Sequence, residues 1–202
     1  ASFAEPTSIS VRTDDVVLIL ETRTGKIRTL SADLSQVGTL AELPDSVDKY
    51  CDHGMVALND GRTLVCATLN DDSGVCRLFK IDEAGSRVEE VRELSMGAGK
   101  MLQLPNEDVL MCAGDALFVL SAGDDFITVK SLAYRWRISQ GHATFASPQA
   151  MCLLDTGTIL IADRYNRRLR ALTADLKRVE TASEVEWFPL YVLCIDGCVH
   201  VW

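Results

Sequence analysis

The chain has few aromatic residues and no long apolar run. Phe, Trp and Tyr make up 6% of its 202 residues, so aliphatic and small side chains must fill the core. The longest apolar runs, such as Val16–Leu20, are far shorter than the roughly 20 residues of a membrane-spanning helix. We therefore expect no membrane partner, and the length is enough for one domain with its own core.

Positive charge is also scarce. The chain has 20 Lys and Arg against 29 Asp and Glu, a formal net charge of −9, which argues against general binding to nucleic acid. The charge is distributed unevenly along the chain, because residues 134–178 carry eight Lys or Arg and only three Asp. This basic strip indicates where an acidic partner would bind.

Catalytic signatures are missing. The chain has three histidines and lacks a nucleophile elbow, a phosphate loop and an HExxH sequence. Cys51-Asp52-His53 could be grouped with the pair Cys194-x-x-x-Cys198 and with His200, but these spacings match no established zinc pattern. We therefore expect no enzyme activity, no catalytic residues, no metal site and no cofactor.

One sequence pattern recurs about every 45 residues: a polar turn, a short apolar strand, a second turn and a second strand. It appears at 13–30, 59–81, 105–120 and 155–172, and it begins again at 195–202. Four short strands per repeat at this spacing are typical of a β-propeller. The predicted fold is all-β: one propeller domain over 1–202, with four-stranded antiparallel blades at 7–43, 54–95, 99–133 and 147–182, and a partial blade at 187–202.

The count is about four and a half blades, which leaves the second strand of the last blade without a neighbour. Three explanations are open: the chain is part of a larger propeller, it closes as a small ring, or its open edge pairs with another copy or another protein. The aromatic residues near this edge are candidates for self-association: Trp187, Phe188, Tyr191 and Trp202.

Seven cysteines are present, an odd number, and most lie inside apolar strand patterns. Cys66 and Cys112 occupy the same place in the repeat, just before an Ala. We interpret them as buried free thiols, which favours the cytoplasm or another reducing intracellular compartment. The sequence also lacks an Asn-x-Ser/Thr glycosylation site.

The fourth repeat contains IADRYNRRLR (161–170), which resembles the NHL repeat, with its core apolar-Ala-Asp-x-x-Asn-x-Arg-apolar. Asp163, Asn166 and Arg168 stand at the three diagnostic polar places, and the resemblance spans 148–172. The other repeats depart from the pattern, and the first has Glu21, Thr24 and Lys26 at these places. The resemblance implies a binding scaffold whose partners lie on one face of the disc, with RNA as the partner in some family members and protein in others.

Two groups are candidates for partner binding. The first is the hairpin of the fourth blade, with Arg164, Tyr165, Arg167 and Arg170, and the second is the linker before it, with Arg135, Trp136 and Arg137. Arginines and aromatic side chains can hold acidic peptides, phosphates or stacked bases. The alternative is that these arginines are solvated or structural and that the linker aromatics cover the core.

Three functions follow from these observations. We expect a non-catalytic protein-interaction scaffold with a protein partner, by itself or within a larger assembly. The alternative is an RNA-binding NHL-type propeller that uses 134–170. The second alternative is a metal-dependent hydrolase similar to lactonase-type propellers, in which Glu21, Asn70 and Asp163 would meet at the channel.

Overall fold

A computed structural model describes residues 3–48, 53–69, 75–94, 99–126, 129–132, 145–195 and 197–202. Within them lie eighteen strands and one 3₁₀ turn at Ala122–Asp124. The first two sheets contain β1 (Pro6–Val11), β2 (Val17–Glu21), β3 (Lys26–Leu30) and β4 (Val37–Glu42), then β5 (Gly54–Ala57), β6 (Thr63–Thr68), β7 (Cys76–Ile81) and β8 (Val88–Leu94). The remaining three contain β9 (Lys100–Gln103), β10 (Val109–Ala113), β11 (Ala116–Leu120) and β12 (Val129–Leu132), then β13 (Pro148–Leu153), β14 (Ile159–Asp163), β15 (Arg168–Leu172) and β16 (Val179–Glu184), and finally β17 (Val192–Ile195) and β18 (Cys198–Val201).

Each sheet is an antiparallel meander in which neighbouring strands are consecutive in sequence. The second strands β6, β10 and β14 are buried on both faces and read as continuous apolar runs, as expected for strands covered on both sides. The fourth strands, such as β16, carry exposed polar residues. Burial therefore falls off from the second strand to the outer edge of each sheet.

Apolar clusters fill the space between consecutive sheets. Sheets one and two share a cluster that includes Leu18 and Phe79, and sheets two and three share one that includes Leu78 and Met111. Similar clusters join the third sheet to the fourth and the fourth to the fifth. The first strands β1, β5, β9, β13 and β17 contact one another in turn. Sheets that pack face to face around an axis of first strands form a β-propeller, as the repeat predicts.

The first strands approach one another so closely that a side chain would not fit at one crossing. A Cβ on Gly54 at the start of β5 would lie 1.7 Å from the carbonyl oxygen of Gly99, next to β9. Only a residue without a side chain permits this approach.

The fifth sheet differs from the others in extent and in exposure. The sequence predicts a strand at Phe188–Cys194, whereas β17 starts at Val192, and Pro189 lacks the N–H that strand pairing requires. β18 occupies the position of a second strand, yet its residues are mostly exposed. No described helix is long and apolar enough to cross a membrane.

Candidate functional site

A buried carboxylate organises the hairpin between β14 and β15. Asp163 Oδ1 accepts the backbone N–H of Ala146 at 2.7 Å, and its Oδ2 accepts Nε of Arg168 at 2.8 Å. The side-chain amide of Asn166 donates to both carboxylate oxygens, at 3.0 and 2.9 Å. The three polar places of the NHL-like pattern therefore form one hydrogen-bonded unit that fixes the turn.

This unit presents the tip of the hairpin to solvent in a defined conformation. Arg167 has a φ of +50°, in the left-handed region, and its backbone N–H donates to Arg164 O at 3.0 Å. Its own carbonyl accepts the N–H of Val185 at 2.8 Å. A turn held at both ends gives the side chains of Arg164, Tyr165 and Arg167 a fixed starting direction.

Phe188 packs against this tip, although it follows the fourth strand of the blade. The Arg167 guanidinium lies 4.6 Å from the Phe188 ring centroid, and the Arg164 guanidinium lies 5.1 Å from the Tyr165 ring centroid. Tyr165 and Phe188 meet edge to face with their centroids 5.9 Å apart. Tyr165 is 59% exposed and Phe188 44%, and Trp187, which precedes Phe188 in sequence, is 52% exposed, whereas Arg164 is half-buried. We call the five residues Arg164, Tyr165, Arg167, Trp187 and Phe188 the hairpin surface.

Arg170, predicted on the same surface, lies in the interior with only 4% exposure. Side chains two apart on a strand share a face, so Arg170 points the same way as Arg168, towards the Asp163 carboxylate. Its Nη1 lies 3.9 Å from Asp163 Oδ2, and its guanidinium lies 4.8 Å from the Phe145 ring centroid. Arg170 therefore packs in the interior beneath the hairpin and is not part of the exposed surface.

The second predicted group, Arg135, Trp136 and Arg137, lies outside the described residues and stays a prediction.

The remaining two self-association candidates, Tyr191 and Trp202, are 59% and 53% exposed. The backbone N–H of each residue donates to the carbonyl oxygen of the other at 3.1 Å. The Trp202 ring stacks on the His200 ring with their centroids 5.9 Å apart. Tyr191 and Trp202 directly flank β17 and β18 of the fifth sheet, whereas Trp187 and Phe188 belong to the hairpin surface.

The carboxylates of the metal-hydrolase alternative lie in separate hairpins. Glu21 accepts hydrogen bonds from the N–H of Ala4 at 3.2 Å and from the hydroxyl of Thr24 at 2.8 Å in the first sheet. Asp163 accepts its hydrogen bonds in the hairpin of the fourth sheet. Asn70 lies outside the described residues. Across the described ranges, no group of three His, Cys, Asp or Glu side chains is placed to hold a metal ion.

The described cysteines are free thiols, and four of the six are buried. Burial raises the pKa of Cys112 to about 12 and that of Cys152 to about 11. Such thiols stay protonated at neutral pH and are poor nucleophiles, so these two cysteines act as small apolar core residues.

Lys100 and Gln149 line cavities at the propeller axis, although no sequence motif singles them out. A lysine at the start of the short first strand KMLQ, before Met101 and Leu102, is the local signal. Their position depends on which strands meet at the axis, and a repeat pattern does not report that.

Comparison with known proteins identifies the fold and no family. No protein-family profile and no curated protein matches the sequence. Among solved structures, streptogramin B lyase aligns over 100% of this chain with 16% identity and a TM-score of 0.69, and the chain covers 63% of that protein. A chain of the nidogen/laminin complex aligns over 97% with 11% identity and a TM-score of 0.72, of which this chain covers 71%. A putative oxidoreductase (glucose dehydrogenase) from Thermus thermophilus aligns over 99% with 13% identity and a TM-score of 0.55, of which this chain covers 91%.

These similar proteins include a lyase, a putative oxidoreductase and a chain of a protein complex, and identities this low carry information on fold alone. The chain spans less than two thirds of the length of streptogramin B lyase. The described sheets and these comparisons together establish a β-propeller fold, with four four-stranded sheets and one two-stranded sheet among the described residues.

Proposed function

We propose that this protein is an interaction module that binds an acidic segment of a protein partner through the hairpin surface. The observation that carries the proposal is the packing of Arg167 and Tyr165 against the exposed Phe188 ring. It joins the basic hairpin to the aromatic residues after β16 in one exposed surface.

Aromatic residues and arginines dominate the binding energy of many interfaces. An arginine already held over an aromatic ring loses less side-chain freedom on binding, which lowers the entropic cost of association. Its guanidinium can still bind a carboxylate with two parallel hydrogen bonds. In a chain with a net charge of −9, a local cluster of positive charge favours acidic over basic partners.

The test is capture of partners from native lysate, with and without nuclease, by the wild type and by Arg164→Glu/Arg167→Glu. The matched control is Lys177→Glu/Arg178→Glu, which changes the net charge equally at the opposite end of β15, where both side chains are exposed. Each captured protein is then purified and its affinity measured by fluorescence anisotropy. We expect the hairpin variant to weaken binding by about 10-fold or more and the control to change it little.

Three outcomes would overturn this proposal. Equal losses in both variants would mean that only net charge matters. Nuclease-sensitive recovery would favour RNA, for which the exposed aromatic rings also offer stacking surfaces. Partners that are retained by the hairpin variant would move the interface to the exposed edge of β18, where another protein or a second copy could pair.

A further inference from the structure

Two buried cysteines of the second sheet contact each other. Cys66 in β6 and Cys76 in β7 are both fully buried, and their Sγ atoms lie 3.1 Å apart. Both side chains belong to the apolar cluster between the second and third sheets, and both are free thiols. The S–S bond of a disulfide is about 2.05 Å long, so the two sulfurs need to approach by only about 1 Å to reach bonding distance.

The register of β6 and β7 places these two side chains on the same face of the sheet. Cys66 pairs with Leu78 and Cys76 pairs with Thr68, so the two cysteines are diagonal neighbours. The backbones of diagonal neighbours lie farther apart than those of directly opposite residues. The short contact between the sulfurs therefore means that the two side chains are directed towards each other.

The hairpin that carries these cysteines is longer than its counterpart in the third sheet. β6 and β7 have six residues each, whereas β10 and β11 have five. Cys112 occupies the place of Cys66 in the third sheet, but the residue that corresponds to Cys76 is Asp115, in the turn between β10 and β11. The longer hairpin therefore supplies the second thiol, and the third sheet offers a natural control.

The surroundings of both thiols make them unreactive in the folded protein. The hydrogen bond with Cys76 and burial raise the pKa of Cys66 well above its ordinary value. Only a thiolate attacks a disulfide, and neither sulfur is exposed to a molecule in solution. A bond between them would therefore form while the chain folds, and burial would then protect it from reductants.

We propose that Cys66 and Cys76 form a disulfide within the second blade when the chain folds in the presence of a small-molecule disulfide such as oxidised glutathione. The thiolate of one cysteine attacks oxidised glutathione, which forms a mixed disulfide and releases one glutathione thiolate. The thiolate of the other cysteine attacks the protein sulfur of the mixed disulfide, which forms the Cys66–Cys76 bond and releases a second glutathione thiolate. Two electrons pass from the protein to glutathione, and the two protons lost by the cysteines are taken up by the released thiolates. This modification site is independent of the hairpin surface.

Refolding from urea with either oxidised or reduced glutathione tests the proposal, with alkylation by iodoacetamide in denaturant and mass spectrometry as the readout. Both cysteines lie in one tryptic peptide, residues 63–77, because trypsin cleaves after Arg62 and Arg77. After oxidative refolding we expect about nine-tenths or more of this peptide to be unalkylated and two hydrogen atoms lighter, and after reductive refolding about one-tenth or less. Cys112, in a different peptide, should be alkylated in both samples.

Thermal unfolding shows whether the native packing accommodates the bond. The oxidised wild type should melt about 4–8 °C above the reduced form, because the bond restricts the unfolded chain. The melting temperature of Cys76→Ala should not depend on the refolding buffer, whereas the matched variant Cys112→Ala should keep the difference. If Cys76→Ala fails to fold, the peptide masses of the wild type decide the case.

The proposal is overturned if residues 63–77 are alkylated at both cysteines after oxidative refolding. It is also overturned if Cys66 or Cys76 is linked mainly to another cysteine, or if the linked form melts below the reduced form. None of these results concerns the hairpin surface, so the two proposals fail separately.

Discussion

The first and fourth blades adopt the same backbone conformation with different side chains at their organising hairpin. Each carboxylate, Glu21 or Asp163, accepts a backbone N–H from the residue two places before its blade's first strand. Each also accepts a hydrogen bond from the residue three places later, a threonine hydroxyl in one blade and an asparagine amide in the other. In both blades the residue four places after the carboxylate has a left-handed φ.

The blades differ in what balances the carboxylate charge. In the fourth blade Arg168 is buried against Asp163, whereas in the first blade Lys26 lies at the surface and pairs with Glu42 at 3.0 Å. Both turns therefore share a carboxylate and a short polar partner. The buried arginine of the fourth blade adds an ion pair that the first blade lacks. The residues of the NHL-like pattern stabilise the conformation of the turn, and the pattern alone does not identify a binding site.

The largest expected difference between the blades concerns the carboxylate itself. Asp163→Ala removes this counter-charge from the buried Arg168 and Arg170 and should lower the free energy of unfolding by about 3–5 kcal/mol. Glu21→Ala is the matched variant and should cost only about 1–3 kcal/mol, because it leaves the Ala4 N–H and the Thr24 hydroxyl without their acceptor. Urea denaturation measures both, and equal losses would contradict the role assigned to the arginines.

The turn position offers a smaller effect. Gly25 has a φ of +66°, and a Cβ there would come no closer than 3.8 Å to the carbonyl oxygen of Leu43. Gly25→Ala should therefore cost roughly 1–2 kcal/mol through backbone strain alone, without a clash. Arg167→Gly is the reciprocal control and should change stability by less, because the relief of strain is offset by the greater freedom of the unfolded chain. Thermal unfolding checks both, and no loss in Gly25→Ala would show that the first turn tolerates side chains as the fourth does.

The smallest effect lies in the turns between third and fourth strands. Two serine hydroxyls, from Ser31 at 2.6 Å and Ser35 at 2.8 Å, help to lower the pKa of Asp33 to about 2, whereas Asp175 is held below its ordinary pKa chiefly by Thr173. Because the folded pKa of Asp33 is depressed, its contribution to stability is present above pH 4 or so and is lost as the pH falls towards about 2. Carboxyl-carbon NMR should show folded Asp33 titrating below its value in urea, and Ser35→Ala should raise that midpoint. Identical midpoints in the folded and unfolded chain would refute the assignment.

The pattern of residues was enough to predict the four-stranded blades, because buried second strands such as β10 and β14 are continuous apolar runs between polar turns. It also predicted the hairpin of Asp163, Asn166 and Arg168, since these residues interact over three to five positions of one chain segment. The start of β17 was misplaced because Phe188 is apolar in sequence but packs against Arg167 instead of pairing in a strand.

The sequence by itself determined the repeat, the strand order within each sheet and the local turn chemistry, because these depend on neighbours along the chain. Only the tertiary structure decided that Arg170 is buried, that Phe188 meets the hairpin and that Lys100 lies at the axis. The physical reason is that each of these placements depends on contacts between segments distant in sequence. Side-chain periodicity specifies which face of a strand a residue lies on, but the partner of that face is selected by the packing of whole blades.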